Sequence, residues 1–231
     1  MTEFVGYQRD PGGTHPPLAA PGYGSTVLRA PAQEPVLLPH TLTEITGPVL
    51  GEGRVLPADH DLTRQHDGEP LGERIIVHGR VLDSDGRAVP DTLVELWQAN
   101  SAGRYAHVRD QHPAPLDPNF TGVGRCLTDS AGRYRFVTVK PGAYPWRNHE
   151  NAWRATHIHL SLFGRAFVQR LVTQMYFPGD PLFYQDPIYN AVPAAARSRM
   201  ISTFDLSETV PEWALAYRFD VVLRGREQTP M

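Results

Sequence analysis

From Glu73 onward the chain alternates between short runs rich in β-branched and aromatic residues and turns built from Asp, Gly and Pro. The runs are IIVHGRVLD, TLVELWQA, GRCLTD, YRFVTVKPG, ATHIHLSLFG, AFVQRLVTQMYF and WALAYRFDVVLRG, with SDGRAVPD and SAGR among the intervening turns. β-branched and aromatic side chains suit a pleated, half-buried surface, while Gly and Pro supply the backbone angles at which strands reverse. Seven or eight such runs at this spacing predict an all-β fold, a β-sandwich of about eight strands. The 20 glycines and 22 prolines also leave little room for long helices. The one clear helical stretch is AAARSRMISTF after Pro193, so short helical and loop excursions are expected around the sandwich.

Residues 1–70 read differently. Eight prolines fall in the first 50 positions, with little sustained periodicity. The apolar residues Phe4, Val5, Tyr7, Leu37, Leu38, Ile45, Val49 and Leu50 are too many for a solvated tail. The expected organisation is an extended N-terminal arm over 1–70, lying on the domain or on a partner subunit, and one catalytic sandwich over 71–231. Twenty-two basic against 25 acidic side chains give a formal charge of -3 without clustering, so no footprint for nucleic acid or anionic lipid is visible. No run is long and apolar enough to cross a bilayer, and MTEFVGYQRD lacks a basic start and an apolar stretch. A soluble, cytoplasmic protein is expected. The single cysteine, Cys126, excludes a disulfide framework and a cysteine metal cage.

The strongest chemical signal is His157-Ile158-His159. In a strand, side chains alternate faces, so two imidazoles would point one way while Ile158 and Leu160 face the core. Such a pair is commonly just two satisfied histidines, and a metal needs further donors. All ten histidines lie at or before position 159, which excludes arrangements that need another histidine downstream. Two imidazoles with Glu150, Asp180 or Asp186 would make a ferrous site, but no spacing singles out one of these carboxylates. Tyr105, after Ala102-Gly103-Arg104, and Tyr144, in PGAYPWR, sit where neighbouring residues fix the backbone. A phenol with a pKa near 10 becomes a useful ligand only beside a hard cation, and two phenolates with two imidazoles suit ferric iron.

These residues carry a family resemblance. The run Val77-His78-Gly79-Arg80-Val81, then Gly86, Val89, Val94-Glu95-Leu96 and Gly103-Arg104-Tyr105, resembles the signature of the intradiol dioxygenases. PLDPNFTGVGRCLTD, KPGAYPWRN, WRATHIHL, TQMYFPGDPL and AYRFDVVLRG extend the resemblance from about Gly51 to the C-terminus, and more thinly into the arm. The resemblance implies that Tyr105, Tyr144, His157 and His159 bind one mononuclear non-haem Fe(3+), with a solvent hydroxide completing the shell. It implies that Tyr144 accepts protons from the bound diol, that Arg154 stabilises charge moving onto the ring, and that Gln174 is a polar pocket residue. Trp146 and Ile188 would shape the apolar walls, and Tyr23 in the arm would reach a substrate carboxylate. The implied activity is cleavage of 3,4-dihydroxybenzoate (protocatechuate) by dioxygen to 3-carboxy-cis,cis-muconate, in aromatic catabolism by the β-ketoadipate route. The chain is similar to the iron-bearing β partner, so an α subunit and a hetero-oligomer are implied. The alternative within the family is a catechol or hydroxyquinol 1,2-dioxygenase with the same four ligands. In another class, GRVLDSDGRAVPDTLVEL resembles the hairpins of transthyretin-like binding modules, which have no reason to hold this Tyr-Tyr-His-X-His set.

Overall fold

The computed structural model describes residues 13–17, 31, 33, 55–147, 149–163 and 170–231. The strands are β1 (Arg74–Leu82), β2 (Leu93–Trp97), β3 (Val123–Leu127), β4 (Arg133–Val139), β5 (Tyr144–Trp146) and β6 (Ala152–Arg154). They continue as β7 (His157–Phe163), β8 (Arg170–Tyr176), β9 (Thr203–Phe204), β10 (Leu215–Arg218) and β11 (Val221–Val222). One sheet runs β11-β1-β10-β9, with β4 also paired to β1; the other runs β3-β2-β7-β8; β5 and β6 form a separate hairpin. The expected sandwich is therefore present. Ile75, Val77, Phe136, Tyr217 and Val221 of the first sheet share one core with Val94, Leu96, Ile158, Leu160 and Met175 of the second. On β7, Ile158, Leu160 and Leu162 face that core, which turns His157 and His159 to the outer face of the four-stranded sheet.

The last expected strand, WALAYRFDVVLRG, is broken in two. Strand β1 pairs in parallel with β10 from Ile75↔Leu215 to His78↔Arg218 and with β11 at Val81↔Val221 and Leu82↔Val222. Between these ladders Phe219 N donates to His78 O at 2.8 Å, and Asp220 Oδ1 accepts from Arg80 N at 2.9 Å. The Asp220 side chain thus takes over one backbone donor, which an unbroken ladder would have paired with a carbonyl. The Tyr134 hydroxyl donates to Phe219 O, which holds the break in place.

Helical structure also departs from expectation. The stretch after Pro193 forms a 3₁₀ helix, Ala194–Met200, with no side-chain cap at its start. Among the described residues the α-helix lies just upstream: α1, Pro187–Ala191, has Asp186 as its N-cap, accepting from Ile188 N and Tyr189 N. An aspartate cap followed by proline in the first turn is a helix-start signal that outweighs the weak propensity of Tyr189 and Asn190.

Part of the stretch expected as an arm is described. In the 3₁₀ turn Leu62–Arg64, capped by Asp61, Leu62 is fully buried within the sandwich core. A Cβ on Gly124 of β3 would lie 2.5 Å from Leu62 Cδ1, so the sheet surface has room for Leu62 only because that position carries glycine. Nearer the N-terminus, Thr14 Oγ1 accepts from Arg199 Nη2 at 3.3 Å and His15 Nδ1 accepts from Met231 N at 3.1 Å. Tyr23 lies outside the described residues.

The break in the long strand has a steric condition. A Cβ at Gly79 would stand 1.9 Å from Phe219 O, a backbone atom that cannot swing aside. Gly79→Ala is expected to cost about 3 kcal/mol or more, at the upper end of overpacking penalties, read as a lower urea midpoint at unchanged slope.

Candidate active site

Register decides which side chains meet on the outer face of the four-stranded sheet. His159 lies opposite Trp97 of β2 and Gln174 of β8, and His157 lies opposite Tyr176. Trp97 stacks on the His159 imidazole at 4.7 Å with an interplanar angle of 4°. His157 Nδ1 lies 2.6 Å from Ala155 O. A carbonyl only accepts, so Nδ1 carries the proton and Nε2 is left with its lone pair. His157 Nε2 stands 3.2 Å from His159 Nε2, so the two nitrogens converge.

Two tyrosines approach from different loops. Tyr105 follows β2, and its backbone N–H donates to Asp110 Oδ2 at 2.8 Å. Gly103, at φ +80°, lets this turn run against Ala143 O, which a Cβ would meet at 2.3 Å. Tyr144 opens β5, where it pairs with Arg154 of β6. The Tyr105 and Tyr144 hydroxyls are 3.5 Å apart, and Tyr144 Oη is 3.4 Å from His157 Nε2. Donors bound to one ion at about 2 Å, with angles near 100°, lie about 3 Å from one another. The succession Tyr105 Oη, Tyr144 Oη, His157 Nε2, His159 Nε2 matches that spacing. These four atoms could hold a single hard cation.

Two of the three carboxylates considered as alternative ligands are engaged elsewhere. Asp180 accepts from Thr156 N and Leu182 N, each at 2.8 Å, and Asp186 is held by Arg154. Glu150 is exposed. Among the described residues, no three His, Cys, Asp or Glu side chains converge on a metal position.

Burial sets the protonation states. It lowers both histidines, His159 to about 3 and His157 well below the usual range, with Arg154 adding to each shift. Burial raises both phenols, and Tyr105 is pushed further by Tyr144; at Tyr144 the Arg154 cation opposes the rise. At neutral pH the imidazoles are therefore ready to bind a metal, whereas the phenols ionise only once a cation draws off their protons.

Arg154 is almost completely buried beside these donors. Its Nε donates to both oxygens of Asp186, at 3.1 and 3.2 Å, and Nη2 donates to Tyr176 Oη at 3.3 Å and to Gln174 Oε1. The Tyr176 hydroxyl also donates to Gln174 Oε1, at 2.8 Å. The guanidinium lies over the Trp146 ring at 5.3 Å from its centroid. Ile188 stands in the first turn of α1, whose cap is the same Asp186. Seven of the eight described candidate residues form one contact network: Tyr105, Tyr144, His157 and His159 on one side and Arg154, Gln174 and Trp146 on the other, joined by Tyr176, which lies against His157 and bonds Arg154; Ile188 joins through the Asp186 carboxylate. His107 and Arg109, near Tyr105 in sequence, are exposed.

Sequence reasoning missed Trp97, Asp110 and Tyr176, and weighed Asp186 only as a ligand. Asp186-Pro187 carried a readable cap signal. The stack of Trp97 on His159 depends on register, which local sequence does not reveal.

A family profile described as "Dioxygenase" matches residues 45–225, and one described as "Protocatechuate 3,4-dioxygenase beta subunit N terminal" matches residues 7–41. The chain belongs to the intradiol dioxygenase family. Among its relatives, the protocatechuate 3,4-dioxygenase beta chain of Burkholderia cepacia is 59% identical over 94% of this chain and 94% of its own length. The alpha chain from the same organism is 33% identical over 68% of this chain and 76% of its own. Of the solved structures, 3-chlorocatechol 1,2-dioxygenase from Rhodococcus opacus matches with a TM-score of 0.54 and 25% identity, covering 74% of this chain and 67% of that one. As an intradiol dioxygenase the protein is an oxidoreductase, which sets aside the transthyretin-like binding module.

The lowered histidines give the metal-free protein a definite pH response. The unfolded chain takes up a proton at His159 below about pH 6.5, while the folded protein does so only near 3. Between these values the unfolded state binds more protons, so stability falls as the pH drops through the window. Chelated protein unfolded in urea at stepwise lower pH is expected to lose midpoint steadily below about 6.5, and His159→Gln is expected to flatten that slope.

Proposed function

We propose that this chain is the iron-bearing β-type subunit of an αβ hetero-oligomer that cleaves protocatechuate between its two hydroxyl-bearing carbons, using dioxygen and yielding 3-carboxy-cis,cis-muconate. The observation that carries the reading is the convergence of two phenol oxygens and two imidazole Nε2 atoms at 3.2–3.5 Å, with no carboxylate among them. Such a donor set favours ferric iron over zinc, magnesium or ferrous iron. The substrate and the α partner are supported by the 59% identical beta chain, the N-terminal profile and the separate alpha chains among the relatives. Work in the cytoplasm, within the β-ketoadipate route of aromatic catabolism, is part of the same proposal. Among the described residues, no helix is long and apolar enough to cross a membrane.

The residues divide the work. Tyr105, Tyr144, His157 and His159 would hold the ion. Bound ferric iron would supply Lewis acidity towards the diol and the charge that keeps the phenolates ionised. Tyr144 Oη would be the base for the diol proton: burial raises its pKa, so its phenolate form would take up a proton readily. Arg154 carries a cation fixed by hydrogen bonds before substrate arrives, positioned to stabilise negative charge moving onto the ring. Gln174 accepts from Arg154 through its carbonyl oxygen and would orient it, and the Trp146 ring and Ile188 would bound the space for an aromatic ring. Tyr23, outside the described residues, is the proposed partner of the substrate carboxylate.

The test is production together with the α-type partner and ferric iron. The expected protein is visibly coloured by tyrosinate-to-iron charge transfer, consumes oxygen with protocatechuate faster than with catechol, and releases the product cleaved between the hydroxyls. Tyr144→Phe is expected to shift the band and slow substrate binding, and His157→Ala to lose the iron. A colourless iron-loaded assembly, or cleavage outside the diol, would refute the reading.

A further inference from the structure

The carboxylate of Asp186 is fully buried, yet no step described so far requires its charge. It accepts five hydrogen bonds from four donors: Arg154 Nε on both oxygens, Ala155 N at 3.0 Å, Ile188 N at 2.9 Å and Tyr189 N at 3.1 Å. These donors come from two separate pieces of chain, the end of β6 and the first turn of α1. One piece carries the site's cation and leads directly into β7 with its two histidines. The other carries the apolar wall.

We infer that Asp186 is the positioning residue of the site, clamping the Arg154 guanidinium and the Ile188 wall into one rigid unit so that the cation meets the ring at a set height and angle. The inference deepens the ring-cleavage reading and rests on it. A bond from Nε to both carboxylate oxygens, with Nη2 tied to Gln174 and Tyr176, removes the guanidinium's freedom to rotate and leaves Nη1 as the nitrogen these bonds do not use. Preorganisation of this kind acts on catalysis because a cation already aimed at the developing charge needs no reorientation during the reaction. A carboxylate serving only to neutralise a buried arginine would have no need of α1. Here Oδ1, which also accepts from Arg154 Nε, caps the helix that bears Ile188, while Oδ2 holds the chain at Ala155 N.

The variants Asp186→Asn and Asp186→Ser retain an acceptor for the α1 cap but lose the carboxylate that fixes Arg154. They are compared, in the iron-loaded αβ assembly, with Arg154→Ala and with the double variant Asp186→Asn/Arg154→Ala. The expected result is a retained charge-transfer band, kcat lower by about 10- to 100-fold with KM changed far less, and a double variant no slower than Arg154→Ala by more than about twofold. In nitrogen-15 spectra, which need no turnover, the Arg154 Nε–H of the unaltered protein should exchange slowly, and that protection should vanish in Asp186→Ser. Rapid exchange in the unaltered protein, kcat within about twofold of normal, or losses that multiply in the double variant would overturn the clamp. So would failure of both Asp186 variants to fold while Arg154→Ala folds, since the carboxylate would then be structural. If the unaltered assembly shows slow Nε–H exchange but neither band nor turnover, it is the ring-cleavage reading that fails.

Discussion

Strand β7 must satisfy two environments with one backbone. Ile158, Leu160 and Leu162 complete the core shared by both sheets, and the period of two then leaves His157 and His159 no choice of direction. Ladders to β2 and β8 on either side hold the register, so a slip by one residue would turn the imidazoles into the core between the sheets and the core residues onto the outer face together. The strength of the hydrophobic core therefore guarantees the geometry of the polar site. Loops alone could not set two nitrogens 3.2 Å apart with this reliability.

Around this fixed pair the remaining donors are delivered by loops, each tied down at its backbone. Asp110 holds the Tyr105 amide, pairing with β6 holds Tyr144, and Asp180 holds the Thr156 amide at the entry to β7. Aspartates recur in this role because a carboxylate can accept several amide donors at once where no ladder continues. The site consequently combines a rigid floor with walls whose positions are adjustable through single residues. A family that acts on several aromatic diols would have use for such an arrangement.

What was legible in the sequence follows from the range of the interactions. The sandwich, the alternation at His157-Ile158-His159 and the turns came from patterns that span a few residues, and the family signature supplied the tyrosines that spacing alone could not connect. Register and long-range closure were not visible. The split of the final strand at Phe219-Asp220 depends on Gly79 and Tyr134, far away in the chain, and the stack of Trp97 on His159 depends on which residues face one another. The helix at Pro187–Ala191 was missed for a different reason. Its Asp-Pro start was readable, but Ala-rich propensity drew attention to the next segment, where three alanines form only a 3₁₀ turn.

The seat of Leu62 against Gly124 ties two distant stretches of chain into one heritable unit. A larger residue at 124 would occupy the space that Leu62 Cδ1 fills, and a smaller residue at 62 would leave a void over a glycine with no side chain to close it. Neither position can drift alone at low cost. The backbone closes the same seat, since a Cβ at 124 would also stand 2.9 Å from Asp59 O, and there the segment before the sandwich stops being a connector and becomes part of the domain.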